Sequence, residues 1–140
     1  MRQEIVAFPT FTVLNDAYNA NPNSMAESIR AMGQLQGTRK IAMLGDMLEL
    51  GGHSKTAHEE IGKLLGEEHY DMVFTFGDMM KTTASIAKQV GVPYVYVGKS
   101  HLDIANAYYD VRQEGDVILV KGSRGLKMER IIEDFKERHE

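Results

Sequence analysis

Apolar positions along this chain follow two different spacings. Short runs in which nearly every residue is apolar occur at residues 40–44, 72–76 and 116–120, and each has the length of a strand buried on both faces. Between these runs, apolar residues recur every three or four positions, as on one face of an amphipathic helix, for example Ala57, Ile61, Leu64 and Leu65. The pattern therefore predicts strands that alternate with helices.

The element boundaries follow from Gly, Pro, Ser and Asn residues between the runs. The predicted strands are residues 3–7, 11–14, 40–44, 72–76, 94–97 and 116–120. The predicted helices begin at residue 22 or 24, at 54, after 77–78, at 100 and after 125, and they end near residues 35, 67, 90, 111 and 135. Ser24 and Glu27 fit a capping box for the first helix, Ser54 and Ser100 are expected to cap later helices, and Gly37 is expected to end the first one.

This alternation indicates an α/β fold. Strands that are buried on both faces and joined by crossover helices form a doubly wound, mostly parallel, Rossmann-like sheet, here of about six strands with helices on both faces. Pro9 separates the first two strands, which we expect to form a hairpin at the sheet edge. Since no repeat or linker interrupts the pattern, residues 1–140 are expected to form a single domain.

Composition narrows the function classes. The chain is 43% apolar and 26% charged with a net charge of −4, which disfavours a nucleic-acid partner because such partners favour a basic surface. It has no cysteine, so disulfides and thiolate metal sites are excluded and a cytoplasmic location is expected. No apolar run approaches the roughly 18 residues that a membrane span needs. His53, His58 and Glu59 do not form a convincing ligand set, so no metal site is predicted, and a structural hydrogen bond is expected for His58.

Polar loops follow three of the predicted strands, at residues 15–24, 45–52 and 121–125. The carboxyl ends of parallel strands share one edge of a sheet, and ligands of doubly wound folds bind there. Each loop alone could be explained by turn chemistry, because Gly, Asn and Asp favour tight turns. Together, with Lys121 and Arg124 near Asp46 and Glu49, they predict a site for a polar ligand. Lys121 and Arg124 in particular are interpreted as an anion site at the start of the last helix.

The amino-acid sequences of these loops resemble those of one enzyme family. Asp-Ala-Tyr-Asn-Ala-Asn-Pro at residues 16–22, Leu-Gly-Asp-Met-Leu-Glu-Leu-Gly at 44–51 and Lys-Gly-Ser-Arg at 121–124 are similar to the C-terminal domain of the Mur ligases. The resemblance is strongest to the branch that adds D-alanyl-D-alanine to UDP-N-acetylmuramoyl-tripeptide in peptidoglycan synthesis. Gly125-Leu126 departs mildly from that pattern, in which Ser or Ala followed by Met is common.

The resemblance implies roles for particular residues. Asp16, Tyr18, Asn19 and Asn21 are expected to contact ATP. Lys121, Ser123 and Arg124 are expected to be catalytic, through contacts to the dipeptide or to the anionic intermediate. Asp46 and Glu49 are expected to bind substrate or to support their loop.

The same resemblance implies the wider setting of the chain. The cofactors would be ATP and Mg²⁺, both held mainly by a central ATPase domain. Neither that domain nor the N-terminal UDP-sugar-binding domain of the family is in this sequence. The expected partners are UDP-N-acetylmuramoyl-tripeptide, D-alanyl-D-alanine and the rest of the ligase chain, with no nucleic acid and no membrane. Since no phosphate-binding P-loop occurs in residues 1–140, the isolated domain is expected to be inactive.

Two other function classes remain open on the residues alone. The chain could be a stand-alone module of flavodoxin-like topology that binds a nucleotide or another small ligand. A purely structural scaffold is disfavoured, because the polar side chains are concentrated in loops that are expected to meet at one edge of the sheet.

Overall fold

The computed structural model describes residues 3–35 and 38–139 and shows alternating strands and helices. The strands in this part are β1 (Glu4–Ala7), β2 (Phe11–Asp16), β3 (Lys40–Gly45), β4 (Met72–Phe76), β5 (Tyr94–Gly98) and β6 (Asp116–Lys121). The α-helices are α1 (Pro22–Gly33), α2 (Ser54–Glu67), α3 (Met80–Gln89), α4 (His101–Val111) and α5 (Glu129–Arg138). Each lies within a few residues of a predicted element. Gly37, the expected end of the first helix, lies outside the described residues.

The strands form one sheet in the order β1-β2-β6-β3-β4-β5. All neighbouring pairs are parallel except β1 with β2, which is the antiparallel edge hairpin that the sequence predicted. The predicted α/β class, with a doubly wound and mostly parallel sheet, is therefore confirmed. β6 inserts between β2 and β3, so the last strand of the chain joins the two strands that carry the first two polar loops.

Two apolar clusters pack on opposite faces of the sheet. Side chains of α4 and α5 cover one face, where Phe11, Phe74 and Tyr108 are almost fully buried. Side chains of α1, α2 and α3 cover the other face, where they pack on Leu44 of β3 and Leu119 of β6. Because the central strands lose solvent contact on both sides, their continuous apolar runs are explained.

A buried polar network closes the amino-terminal end of the sheet. The carboxylate of Asp116 accepts hydrogen bonds from Arg39 at 2.8 and 2.9 Å and from the Tyr108 hydroxyl at 2.6 Å. Burial, together with the hydrogen bond to Asp116, raises the pKa of Tyr108 above its ordinary value. The network therefore stabilises the sheet at the end opposite to the polar loops.

The starts of two helices can be compared with the caps that the sequence predicted. Ser100 caps α4 as expected, since its hydroxyl accepts the amide of Asp103 at 3.0 Å. The expectation for Ser54 was wrong. The cap position of α2 belongs to His53, whose side chain makes no capping bond, because a 3₁₀ turn at Gly51–His53 leads directly into the helix.

Candidate functional site

The strand order brings the three polar loops together. β2, β6 and β3 are neighbours and parallel, with Asp16 opposite Lys121 and Leu44 opposite Lys121 in the ladders. Their carboxyl ends therefore lie side by side, and the loops that follow them form one surface, which we call the three-loop edge (residues 15–24, 45–52 and 121–125). The expected convergence of these loops is observed.

A buried ion pair joins the first loop to the third. The Lys121 ammonium lies 2.7 Å from Asp16 Oδ2, and Lys121 is only 2% exposed. The ammonium also donates to the carbonyl of Asn19 at 3.3 Å, and the Ser28 hydroxyl donates to Asp16 Oδ2 at 2.6 Å. Lys121 and Asp16 are thus engaged with protein groups below the surface, where they hold the first loop in position.

Ser123 joins all three loops through its hydroxyl and its backbone. The hydroxyl accepts the amide of Leu48 at 2.7 Å and donates to the carbonyl of Ala20 at 3.4 Å. The amide of Ser123 donates to the carbonyl of Asp46 at 3.0 Å. Ser123 is 6% exposed, so its hydroxyl acts within the protein and fixes the relative position of the loops.

Tyr18 and Arg124 form a contact pair on the exposed surface of the three-loop edge. The Arg124 guanidinium carbon lies 4.8 Å from the centre of the Tyr18 ring, and Nη1 donates to the Tyr18 hydroxyl at 3.1 Å. Tyr18 is 42% exposed and Arg124 is also exposed, so both present polar and aromatic groups to solvent. This pair combines a cation with an aromatic face, which suits an anionic ligand that carries a planar ring.

The two asparagines of the first loop make local bonds to the backbone. Asn19 Oδ1 accepts the amide of Ala20 at 2.9 Å. Asn21 is the N-cap of α1: its Oδ1 accepts the amide of Ser24 at 2.9 Å, and Ser24 Oγ accepts the amide of Asn21 at 3.1 Å. The capping box therefore starts three residues before the predicted Ser24–Glu27 box, because Pro22 already occupies the first turn of the helix. Turn and capping hydrogen bonds therefore account for the contacts that the side-chain oxygens of Asn19 and Asn21 make.

Replacing Asn21 with Ala should lower the free energy of unfolding by about 1 kcal/mol, because the first turn of α1 loses its cap. Asn21→Asp or Asn21→Ser should retain most of the stability, since both side chains can accept the same amide. Chemical denaturation of the three variants measures the difference. Equal losses in all three would show that the cap is not what Asn21 contributes.

Asp46 supports the second loop from inside. Its Oδ1 accepts the amide of Met80 at 2.7 Å at the start of α3, and Asp46 is 5% exposed. Gly77 has a φ of +111°, and a Cβ atom there would collide with the Asp46 carboxylate. Glu49, in contrast, is exposed and has a φ of +62°. Of the two acidic residues, only Glu49 is open to a ligand.

His58 lies under the same loop and is fully buried. Its Nε2 accepts the amide of Met47 at 3.1 Å, and its Nδ1 lies 2.8 Å from the carbonyl of Ser54, to which it donates in that tautomer. Both ring nitrogens are therefore used, in agreement with the structural role predicted for His58.

Sequence reasoning missed Ser28 and Gly77, since neither carries a pattern that predicts a partner so distant in the chain.

The third loop is not at the start of the last helix, and that expectation was wrong. A 3₁₀ turn at Arg124–Leu126 intervenes, Lys127 is left-handed with a φ of +52°, and α5 begins at Glu129. The reason lies in Met128, which is fully buried and packs on Gly45 and Gly122. A Cβ at Gly122 would lie 2.8 Å from Met128 Cγ, so this glycine permits close packing.

Within residues 3–35 and 38–139, no helix combines the length and the apolar character that a membrane crossing needs. In the same part of the chain, no three His, Asp or Glu side chains are grouped closely enough to hold a metal ion.

Comparison with known proteins identifies the family. The model of the family described as "Mur ligase, glutamate ligase domain" matches residues 1–124. This chain belongs to the Mur ligase family. Its predicted resemblance to the C-terminal domain of Mur ligases is thereby confirmed.

Particular Mur ligases are similar over most of this chain. The UDP-N-acetylmuramoyl-tripeptide--D-alanyl-D-alanine ligase of Bacillus subtilis is 38% identical over 143 residues, covering 98% of this chain and 31% of the relative. The ligase of the same name from Escherichia coli is 31% identical over 125 residues, covering 89% of this chain and 27% of the relative. The crystal structure of a MurF ligase from Thermotoga maritima in complex with ADP superimposes with a TM-score of 0.82 at 28% identity, covering 95% of this chain and 30% of that one. The Mur ligase chain described here thus spans about a third of the length of these relatives.

Proposed function

We propose that this chain works as the C-terminal domain of an ATP-dependent ligase that adds D-alanyl-D-alanine to UDP-N-acetylmuramoyl-tripeptide in peptidoglycan synthesis. The observation that carries the proposal is the 38% identity to the Bacillus subtilis ligase of that activity over 98% of this chain. ATP would activate the tripeptide carboxylate, and the amine of the dipeptide would then form the new amide bond. The MurF ligase that superimposes on the chain was crystallised with ADP, which supports the nucleotide in this scheme.

The three-loop edge would meet the reactants through its exposed groups. Tyr18 and Arg124 form an exposed pair of an aromatic ring and a cation there, so we assign the contact to the nucleotide and to the anionic intermediate to them. Lys121, Ser123 and Asp46 would act indirectly, because their polar atoms already bind other loops. Asp16, Asn19 and Asn21 would shape the first loop in the same way.

The remaining parts of the reaction would come from outside this chain. We assign Mg²⁺ mainly to the central domain, as the family resemblance implies. The sequence also contains no P-loop to bind the ATP phosphates. The chain alone would therefore show neither ATP hydrolysis nor ligation, and it would contribute by closing over reactants that the other domains hold.

Domain exchange in cells tests the proposed function. The matching third of the Bacillus subtilis ligase is replaced with this chain in a strain whose own ligase can be depleted. Growth after depletion supports the proposal, and the exchange should fail when the P-loop lysine of the host ligase is mutated. If the exchanged protein accumulates but does not support growth, while the chain alone binds a nucleotide, the alternative of a stand-alone binding module is favoured instead.

A further inference from the structure

A histidine outside the three-loop edge bonds to the turn that carries Arg124. His101 is the first residue of α4, and its Nε2 lies 2.8 Å from the carbonyl oxygen of Leu126. A carbonyl oxygen only accepts, so Nε2 carries the proton and donates it to this bond. Leu126 is the last residue of the 3₁₀ turn that begins at Arg124. The imidazole therefore ties the end of this turn to a helix that starts 25 residues earlier in the chain.

The turn has a conformation that needs such an anchor. Lys127, which follows it, is left-handed with a φ of +52°, and a residue with a side chain keeps that conformation only where its surroundings impose it. The amide of Leu126 donates to the carbonyl of Ser123 at 2.9 Å, and the amide of Lys127 donates to the carbonyl of Arg124 at 3.1 Å. These two bonds close the turn on itself, whereas the bond from His101 fixes it to another element of the fold.

His101 is itself held on several sides. Its ring is half-buried and packs on Phe76, at the end of β4, with the ring centres 4.7 Å apart. The carboxylate of Asp103, in the same helical turn as His101, accepts the Tyr96 hydroxyl at 2.7 Å and the amide of Lys99 at 2.8 Å. The start of α4 is thus joined to β5, and the imidazole donates from a fixed position.

The side chain of Arg124 has no comparable support. It is exposed, and its guanidinium contacts Tyr18, which is 42% exposed itself. The position of the guanidinium therefore depends on the backbone of its own turn. A misplacement of about 1 Å in a group that binds a reactant can lower a rate by about 100-fold, so the anchor of this turn has consequences for catalysis.

We propose that His101 is a positioning residue of the ligase site. Its imidazole, packed on Phe76, holds the carbonyl of Leu126 and thereby sets where the Arg124 guanidinium meets the anionic reactant. The inference rests on the proposed function for the identity of the reaction. It assigns His101 no contact with a substrate, since its effect passes through Arg124.

Hydrogen exchange in the ¹⁵N-labelled 140-residue chain tests the anchor without any turnover. The amide nitrogen of Gln lies as far along its side chain as Nε2 of His, whereas that of Asn is one carbon shorter, so His101→Gln keeps the donor and His101→Asn loses it. In His101→Asn, the amides of Leu126 and Lys127 should exchange about 2- to 12-fold faster than in the wild type. The amide of Asp103, at the start of α4, should keep its wild-type rate. Unchanged exchange at Leu126 and Lys127 would overturn the proposal.

Kinetics of a domain-exchanged ligase test the consequence for the reaction. His101→Asn should lower kcat/KM by about 3- to 10-fold, and His101→Gln should restore most of it because the donor is present again. Leu102→Gln is the matched control, since it changes an exposed side chain in the same turn of α4, and its kinetics should equal those of the wild type. An equal loss in the Gln and Asn variants would contradict a role for the donor.

A double-mutant cycle separates positioning from a general structural role. In an Arg124→Ala background, His101→Asn should cause no further loss of kcat/KM, because the group that it positions is already gone. If the two losses multiply instead, His101 does not act through Arg124 and the proposal fails. If the domain-exchanged ligase with the unchanged chain is inactive, the proposed function fails, while hydrogen exchange still decides whether His101 holds the turn.

Discussion

Replacement of Lys121 with Met should lower the free energy of unfolding of this chain by about 3–5 kcal/mol. Met fills a similar volume but removes the cation, so Asp16 is left as a carboxylate that is largely buried and has lost its counter-charge. The Asn19 carbonyl loses a donor as well. The loss should appear as a lower denaturation midpoint with an unchanged slope, since the same surface is exposed on unfolding.

Two variants make this prediction specific. Lys127→Met changes an exposed lysine six residues away and should cost less than about 0.5 kcal/mol. The double variant Asp16→Leu with Lys121→Met should recover much of the loss, because removal of both members of a buried ion pair leaves no isolated charge. A Lys121→Met protein as stable as the wild type would show that the pair does not hold the first loop to β6.

Replacement of Arg124 with Ala should have the opposite profile, with a large effect on activity and almost none on stability. Arg124 is exposed, and its stack on Tyr18 contributes about 0.5–1 kcal/mol. In a domain-exchanged ligase, loss of its hydrogen bonds to an anionic reactant should lower kcat/KM by about 10- to 150-fold. The decrease should lie in kcat and in the KM for ATP.

A comparison of Arg124→Lys with Arg124→Ala separates the contribution of the charge at residue 124 from that of the guanidinium geometry. Arg124→Lys keeps the cation but loses the planar fork and the stack on Tyr18, so it should recover only part of the activity. Arg130→Ala, which removes an exposed arginine from α5, is the control and should leave the kinetics unchanged. Wild-type kcat/KM in Arg124→Ala would exclude Arg124 from the site.

The elements of this fold could be predicted because local patterns determine them. The central strands are buried on both faces, so their continuous apolar runs are a direct consequence of position in the sheet. The position of β6 between β2 and β3 has no such local signal, since it depends on packing between distant segments. For that reason, the contact of Lys121 with Asp16, 105 residues away, could be found only in the structure.

The candidate site shows the same division between what is local and what is not. Convergence of the three loops followed from a general property of parallel sheets and was predicted. The interaction partner of each side chain was harder to predict, because the same residue type can bind a ligand, cap a helix or form an ion pair within the protein. Lys121 was interpreted as part of an anion site, yet in the structure its ammonium is buried against Asp16. Asn21 was assigned to ATP, and its side chain caps α1.

The most direct test of the account is the mass of the product formed by a purified domain-exchanged ligase. The enzyme is incubated with ATP, Mg²⁺, UDP-N-acetylmuramoyl-tripeptide and D-alanyl-D-alanine, and the nucleotide-linked product is analysed by mass spectrometry. The account predicts a product that is heavier by one D-alanyl-D-alanine unit less one water, with one ADP and one phosphate formed per bond. A folded exchange protein that leaves the tripeptide unchanged, or that joins a single amino acid in place of the dipeptide, would contradict it.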